Sequence, residues 1–190
     1  MKKEIFEWVI SIVIAVALVL LVNKFVANSY SVSGLSMHPT FDNEDRVIVS
    51  KISKTLNHLN SGDVIVFHED KEHDYIKRLI GTPGDIVKYK DDKLYVNDKK
   101  IDEPYLKYNK KNKFGDTLTE DFNSGELKGS NGKKKIPKGR YLVLGDNRQN
   151  SIDSRRQEVG LIKNEQIVGK VVMRFWPLKD ITFGFNPSTF

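Results

Sequence analysis

An almost unbroken apolar stretch near the start of the chain limits its fold more than any other feature. Residues 5–22 include only two polar side chains, Glu7 and Ser11. A helix rises about 1.5 Å per residue, so this stretch nearly crosses a membrane hydrocarbon core, which is roughly 30 Å thick. We therefore expect residues 1–27 to form a single transmembrane helix that anchors the chain.

The basic residues before this stretch leave two interpretations open. Lys2 and Lys3 could begin a cleavable secretory signal, but the apolar stretch is longer than an ordinary signal core, and residues 25–29 contain no clean Ala-x-Ala site. Lysines favour the cytoplasmic side, and Glu4 and Glu7 count for little in that rule. We expect a retained, single-pass anchor in the cell membrane, with a cytoplasmic N-terminus and the rest of the chain outside.

Beyond the anchor, short apolar runs alternate with turn signals. Residues 46–49, 63–67 and 85–89 alternate with a period near two, which is typical of β-strands, and turns containing Gly, Pro and Asn separate such runs. We expect residues 28–190 to form an extracytoplasmic, mainly β domain with antiparallel sheets. Residues 104–135 are rich in Lys, Asn, Gly and Asp, so we expect them to be a peripheral excursion outside the core.

Charge and cysteine content exclude some classes of function. The chain of 190 residues has a formal net charge of +6, which would suit nucleic acid or an anionic lipid surface equally. A well-solvated surface explains this charge more simply, and we expect no nucleic acid partner. Without cysteine, the chain has no disulfide, no thiolate metal site and no cysteine nucleophile. No motif indicates a metal ion or an organic cofactor, and we expect none.

Ser36 is a candidate nucleophile because the residues around it could present a fixed, exposed hydroxyl. Gly34 relaxes the chain before it and Pro39 restricts the chain after it, although an isolated serine in such a stretch is usually a turn residue. A serine nucleophile also needs a base. His38 is too close in sequence for the usual arrangement and the other three histidines lie in polar surroundings, so a Ser-His-Asp triad stays possible but unsupported.

Lysine can replace histidine as the base if burial keeps its amine neutral. In the strand pattern of residues 74–80, Lys77 shares a face with Tyr75 and Leu79. Lysines more often belong to a solvated face, so this pattern needs support from elsewhere. The polar loop at residues 145–155 offers hydroxyls and carboxylates that could orient a neutral amine, or it could be a turn held by its own hydrogen bonds.

Three segments together identify a family resemblance. The sequences SMHPT at residues 36–40, YIKRLIGTPGD at 75–85 and GDNRQNSIDSR at 145–155 stand in one order behind the anchor. This arrangement resembles the bacterial type I signal peptidases, of the Gram-positive type. The resemblance implies a membrane-bound serine protease without cofactors that removes signal peptides from exported preproteins near the secretion translocon. It would cleave after small residues at positions −3 and −1 through a Ser/Lys dyad and an acyl-enzyme.

The resemblance also implies a role for each matching residue. Ser36 would be the nucleophile, its backbone amide would donate to the oxyanion, and Lys77 would be the general base. Among the supporting residues, Ser151 would hydrogen-bond the lysine amine, and Asp153 would pair with Arg155. Asp146 and Arg148 would shape the loop.

The implied substrate lies as an extended strand beside residues 31–33 and 74–76. The substrate-binding residues would be Tyr30, Val32, Ser33, Gly34, Met37, Asp74, Tyr75 and Ile76. Met37 and Phe41 would also touch lipid. Two departures stand out: glycine at position 34, where Gram-negative members carry a serine that assists the oxyanion, and a longer spacing between Arg155 and the next glycine, Gly160.

Two other classes of protein fit part of this pattern. A self-cleaving repressor relative would share the Ser/Lys chemistry, but it would be expected to carry a DNA-binding or regulatory segment in place of the apolar anchor. A non-catalytic anchored binding module would need neither Ser36 nor Lys77. Reaction with a serine-directed acylating inhibitor would separate the last class from an active protease.

Overall fold

The computed structural model describes residues 2–25, 27–56, 58–70 and 72–190. Within these residues the chain forms three α-helices and twelve β-strands. The helices are α1 (Lys2–Phe25), α2 (Ile52–Thr55) and α3 (Lys107–Lys111). The strands are β1 (Ala27–Ser31), β2 (Arg46–Ser50), β3 (Val64–His68), β4 (Asp74–Gly81), β5 (Val87–Lys90), β6 (Lys93–Val96), β7 (Lys99–Ile101), β8 (Phe122–Asn123), β9 (Arg140–Leu144), β10 (Ile162–Lys163), β11 (Ile167–Trp176) and β12 (Thr182–Phe183).

The strands form two antiparallel sheets. The larger sheet has the order β1-β2-β11-β3-β4-β9-β10, with β12 paired to β11, and the smaller has the order β7-β6-β5-β8. Strand β2 alternates buried Val47 and Val49 with more exposed neighbours, as expected for a half-buried strand. In β3, all four residues from Val64 to Phe67 are buried. The prediction of a mainly antiparallel β fold is confirmed.

The smaller sheet packs on the larger one through a shared core, and residues 104–135 take part in that core. Ile80 and Leu142 of the larger sheet pack in one cluster with Tyr89 of β5, and with Phe122 and Leu127 of the predicted excursion. The expectation that this stretch lies outside the core is therefore wrong for these side chains. The stretch has few large apolar residues, but where β8 pairs with β5, Phe122 lies opposite Tyr89 and is buried.

Helix α1 extends from Lys2 to Phe25 and carries exposed apolar side chains, among them Phe6 and Trp8. When only the described residues are considered, no helix combines the length and the apolar character of a membrane span. The anchor predicted for residues 1–27 also includes Met1 and Val26, which lie outside the described residues.

Candidate active site

The loop that follows β1 presents Ser36 between buried anchors. Val32, Met37 and Phe41 are buried in one hydrophobic cluster with strands β2 and β3, while Leu35 is half exposed. Gly34 has a φ of +88°, in the left-handed region that favours glycine, and its amide donates to the side chain of Asn43 at 2.9 Å. The apolar anchors and this glycine hold the serine at the surface of the sheet.

Strand β4 brings Lys77 to this serine. The amine Nζ of Lys77 donates to Oγ of Ser36 at 2.7 Å and to the backbone carbonyl of Ile76 at 3.1 Å. The lysine is only 3% exposed, and its Nζ lies 5.0 Å from the centre of the Tyr75 ring. The alternation of the strand therefore places a buried amine against the candidate nucleophile.

Burial changes the proton affinity of this amine. Loss of solvation disfavours the charged form and lowers the pKa of Lys77 from 10.5 to about 8. The negative charges of Asp153, Asp146 and Glu69 act in the opposite direction and limit the decrease. The amine can therefore be neutral in a mildly alkaline solution.

The loop at residues 145–155 is locked onto the loop that carries Ser36. The backbone amide of Asn147 donates to the carbonyl of Ser36, and its side-chain amide donates to the carbonyl of Leu35, both at 3.0 Å. Gly145 makes this approach possible, because an added Cβ would lie 2.5 Å from the carbonyl oxygen of Ser36 and 2.2 Å from Oγ of Ser151.

Two buried ion pairs also hold the loop at residues 145–155 in place. Asp146 pairs with Arg78 of β4 at 2.7 Å, and Arg148 pairs with Glu103 at 2.7 Å. All four side chains are at most 1% exposed. Charges removed from water to this extent need such partners, so each pair constrains the loop strongly.

The predicted pair of Asp153 and Arg155 is also present, at 2.8 Å. Burial by itself would raise the pKa of Asp153, but the hydrogen bonds and charge of Arg155 outweigh it and hold that pKa below its ordinary value. Asp153 also accepts a hydrogen bond from the backbone amide of Gly145 at 3.0 Å. The carboxylate thus stays ionised close to the strand that leads into the loop.

A groove with a volume of about 470 Å³ runs past Ser36 and Lys77. The structure brings most of the predicted substrate-binding residues to it, namely Tyr30, Val32, Ser33, Gly34, Asp74, Tyr75 and Ile76. Ser31, at the start of the predicted segment 31–33, lines it as well. The groove also includes residues that were not predicted to bind substrate, namely Leu35, Val47, Val66, Gln149, Asn150, Ile152 and Arg156. Ser151 lines the groove as well. Within the part of the chain that the structure describes, no cluster of three or more potential metal ligands occurs.

Comparison with known proteins identifies the family. The family described as signal peptidase, peptidase S26, matches residues 5–176 of this chain. The chain belongs to the signal peptidase family S26. It is a serine peptidase of the signal peptidase I type, and this membership supports the removal of signal peptides as its activity.

The relatives of this peptidase agree in sequence and in fold. It is 52% identical to a signal peptidase IB of Staphylococcus aureus over 189 residues, which cover 99% of this chain and 98% of that protein. It is 46% identical to a signal peptidase I of Bacillus caldolyticus over 172 residues, covering 90% and 92% of the two chains. The crystal structure of a signal peptidase I from Enterococcus faecalis matches with 36% identity and a TM-score of 0.53, covering 59% of this chain and 95% of that one.

The contacts predicted for Met37, Phe41 and Ser151 of this signal peptidase are not made. Met37 is 1% exposed and packs in the core with Phe41, so neither side chain reaches lipid and Met37 does not line the groove. The hydroxyl of Ser151 is buried, and the hydrogen bonds of Lys77 Nζ among the described residues do not include it. The hydrogen bond from Ser151 to Lys77 is therefore absent, because the amine is directed to Ser36 and Ile76 instead.

Three of the four histidines of the peptidase form surface pairs with aspartates. These pairs are His38 with Asp42, His68 with Asp74 and His73 with Asp70. Among the described residues that line the groove there is no histidine. The triad interpretation thus gains no support from the geometry.

The sequence did not indicate the partners of the loop, Arg78 and Glu103. Arg78 lies between Lys77 and the apolar Leu79 and Ile80, and a charge among apolar strand residues is a signal that it needs a buried partner. Glu103 lies 45 positions before Arg148, and no local pattern connects them.

Proposed function

We propose that this chain is a membrane-anchored endopeptidase in which Ser36 attacks the scissile carbonyl of a signal peptide and Lys77 is the general base. The observation that carries this proposal is the 2.7 Å contact between Oγ of Ser36 and a lysine amine that is only 3% exposed. A base must lie within hydrogen-bond reach of the proton it removes, and its pKa must allow the free form at working pH. Lys77 meets both requirements.

The reaction proceeds through an acyl-enzyme. The neutral amine of Lys77 accepts the hydroxyl proton as Oγ of Ser36 bonds to the carbonyl carbon, and the resulting ammonium gives that proton to the leaving amine as the peptide bond breaks. A water molecule then attacks the ester, and its proton passes to Lys77. Cleavage of the ester returns that proton to Ser36 and releases the signal peptide with a new carboxylate.

Charge that develops on the carbonyl oxygen needs a donor, and we assign the backbone amide of Ser36. The position at which Gram-negative members carry an assisting serine is Gly34 here, with a φ of +88°. A serine would be strained in this conformation. A second donor must therefore come from another group or from water.

The groove favours small side chains at positions −3 and −1 of the substrate. Tyr30, Val32, Tyr75 and Ile76 give it apolar walls close to the reactive pair. The substrate would lie extended beside β1 and β4, where backbone pairing gives affinity and alternate side chains enter the shallow pockets. Large side chains at these positions would keep the carbonyl away from Ser36.

We propose that α1 holds the enzyme in the membrane from which its substrates emerge, with the N-terminus in the cytoplasm and the β domain outside. The support is the apolar sequence of residues 5–22, together with exposed apolar side chains such as Phe6 and Trp8. Alkaline carbonate extraction of membranes, with protease digestion of intact cells, tests this topology. Release by carbonate, or protection of the β domain from external protease, would contradict it.

The peptidase proposal is tested on a purified preprotein with an Ala-x-Ala site, in lipid vesicles, with mass spectrometry of the product N-terminus. Wild type should cut after the last alanine, whereas Ser36→Ala and Lys77→Ala should not. Lys88→Ala, which changes an exposed strand lysine, is the matched control and should cut normally. Cleavage by Lys77→Ala at the wild-type rate would remove the lysine from the mechanism.

A further inference from the structure

Residues 103–120 contact the loop at residues 145–155 at several points along its length. Glu103 and Thr119 bond the guanidinium of Arg148 at 2.7 and 3.3 Å. The side-chain amide of Gln149 accepts from the backbone nitrogen of Phe114 and donates to the carbonyls of Phe114 and Thr117, at 2.9, 2.7 and 3.0 Å. Glu120 pairs with Arg155 at 2.6 Å. The segment is thus part of the scaffold of the site.

Asn109 makes the most direct of these contacts. It belongs to the short helix α3, which buries Asn109 while Lys107, Lys110 and Lys111 are exposed. Its side-chain nitrogen donates to the backbone carbonyl of His38 and to that of Asp146, both at 2.8 Å. The first carbonyl lies two residues after Ser36, and the second lies in the loop at residues 145–155.

The chemistry of these partners requires a primary amide. Both are carbonyl oxygens, which accept hydrogen bonds and cannot bond each other, so a group between them must supply two donors. A neutral amide nitrogen supplies both without adding a charge to a buried position. Because both partners are acceptors, the nitrogen of Asn109 and not its oxygen faces them.

We propose that Asn109 is a positioning residue that holds the Ser36 loop in register with the loop at residues 145–155. Asn147 bonds the carbonyls of Ser36 and Leu35, and Thr40 bonds the carboxylate of Asp146. Asn109 adds a bridge between the backbone carbonyls of His38 and Asp146 on the side of α3. Arg78 in turn ties Asp146 to β4, the strand of Lys77. Loss of Asn109 lets Ser36 move relative to the amine that must take its proton.

This role predicts a separation of kinetic effects, and it rests on the proposed peptidase function. Asn109 does not line the groove, so its loss should leave substrate binding intact. A misplacement of about 1 Å in a catalytic group costs on the order of 100-fold in rate, so we expect kcat to fall about 10- to 100-fold while KM stays within about twofold.

The test compares Asn109→Ala and Asn109→Asp with Asn112→Ala, in the full chain in lipid vesicles. Asn109→Asp keeps the shape but replaces both donors with an acceptor. Asn112, which directly follows α3, is the matched control, because among the described residues its exposed side chain bonds the backbone carbonyl of Tyr108, at 2.8 Å. Rates are divided by the folded fraction, measured by circular dichroism, so that a loss of folding is not counted as a loss of catalysis.

Hydrogen exchange of the segments 35–41 and 145–150 gives a readout that needs no peptidase activity. Both segments should exchange faster in the two Asn109 variants and at the wild-type rate in Asn112→Ala. Unchanged exchange, or a wild-type kcat per folded molecule, would overturn the positioning role. If exchange is faster in the two Asn109 variants but the wild-type protein cleaves no preprotein, the peptidase function is refuted and the link between the loops stands.

Discussion

Arg78 and Asp146 form a buried ion pair in which Nε and Nη2 of the guanidinium donate to the two carboxylate oxygens at 2.9 and 2.7 Å. The carboxylate also accepts a hydrogen bond from the hydroxyl of Thr40 at 2.5 Å. One carboxylate thereby connects β4, which carries Lys77, with the loop that follows Ser36. We expect the relative positions of Ser36 and Lys77 to depend on this connection, although Arg78 and Asp146 bond each other and not Oγ of Ser36.

Removal of one partner of this pair should destabilise the fold. Arg78→Ala leaves the charge of Asp146 buried without its main partner, which costs about 3–5 kcal/mol. The control is Arg156→Ala, whose guanidinium lies 3.9 Å from Glu120 at the surface and should cost at most about 1 kcal/mol. Urea unfolding of both variants measures the difference. Equal losses would mean that the buried pair adds no more than a surface contact.

Gly145→Ala should reduce activity, because the backbone of the Ser36 loop occupies the space that the new Cβ would need. The added carbon would lie 2.5 Å from the carbonyl oxygen of Ser36, and a backbone atom must move to make room. Gly125→Ala is the control, since its nearest neighbour would lie at 3.1 Å. We expect kcat to fall on the order of 100-fold in the first variant and to change little in the second. Comparable rates in both variants would contradict the close approach.

The pH dependence of kcat/KM should follow the amine of Lys77. Its pKa is lowered from 10.5 to about 8, and only the neutral form accepts the proton of Ser36. Activity should therefore rise about tenfold per pH unit below pH 8 and level off above it. Cleavage rates of a peptide substrate between about pH 5 and 10 measure the profile, because this range spans the ordinary pKa of histidine and the lowered pKa of Lys77. A midpoint near 6.5, the ordinary value of histidine, would instead point to a histidine base.

Lys77→Arg should be inactive although it preserves the positive charge. A guanidinium stays protonated at every working pH and cannot accept the proton of Ser36. Lys88→Arg changes an exposed strand lysine in the same way and should keep the wild-type rate. Active-site labelling with a serine-directed acylating inhibitor gives a second measurement, and it should also fail in Lys77→Arg. Normal cleavage by this variant would exclude Lys77 as the base.

Strand alternation predicted much of this fold, because it reports which side chains share a face. It placed strands close to β2, β3 and β5, and it set Lys77 among apolar neighbours, as the structure has it. Alternation does not report how deep a face is buried. For that reason it missed that Arg78, on the opposite face of the same strand, is also buried.

Contacts between distant parts of the chain could not be predicted in this way. The polar composition of residues 104–135 hid the positions that fold inward, such as Asn109 and Phe122. Similarly, the family resemblance implied a place in the groove for Met37, but the loop directs its side chain into the core. Side-chain direction within an irregular loop follows from packing, which no local pattern encodes.

The buried amine should also cost stability, and Lys77→Met should recover it. In the unfolded chain the amine has its ordinary pKa, so between about pH 8 and 10.5 the unfolded state binds more protons and wild-type stability rises with pH. Below pH 8 the amine is charged in both states, and burying that charge lowers the stability of the fold by about 3 kcal/mol, as the lowered pKa implies. Lys77→Met should thus be more stable than wild type near neutral pH, with the gain fading towards pH 10.5. Urea unfolding at several pH values measures this difference, with Lys88→Met at an exposed strand position as the control. A gain in stability that is constant with pH would show that packing, and not the charge of the amine, is responsible.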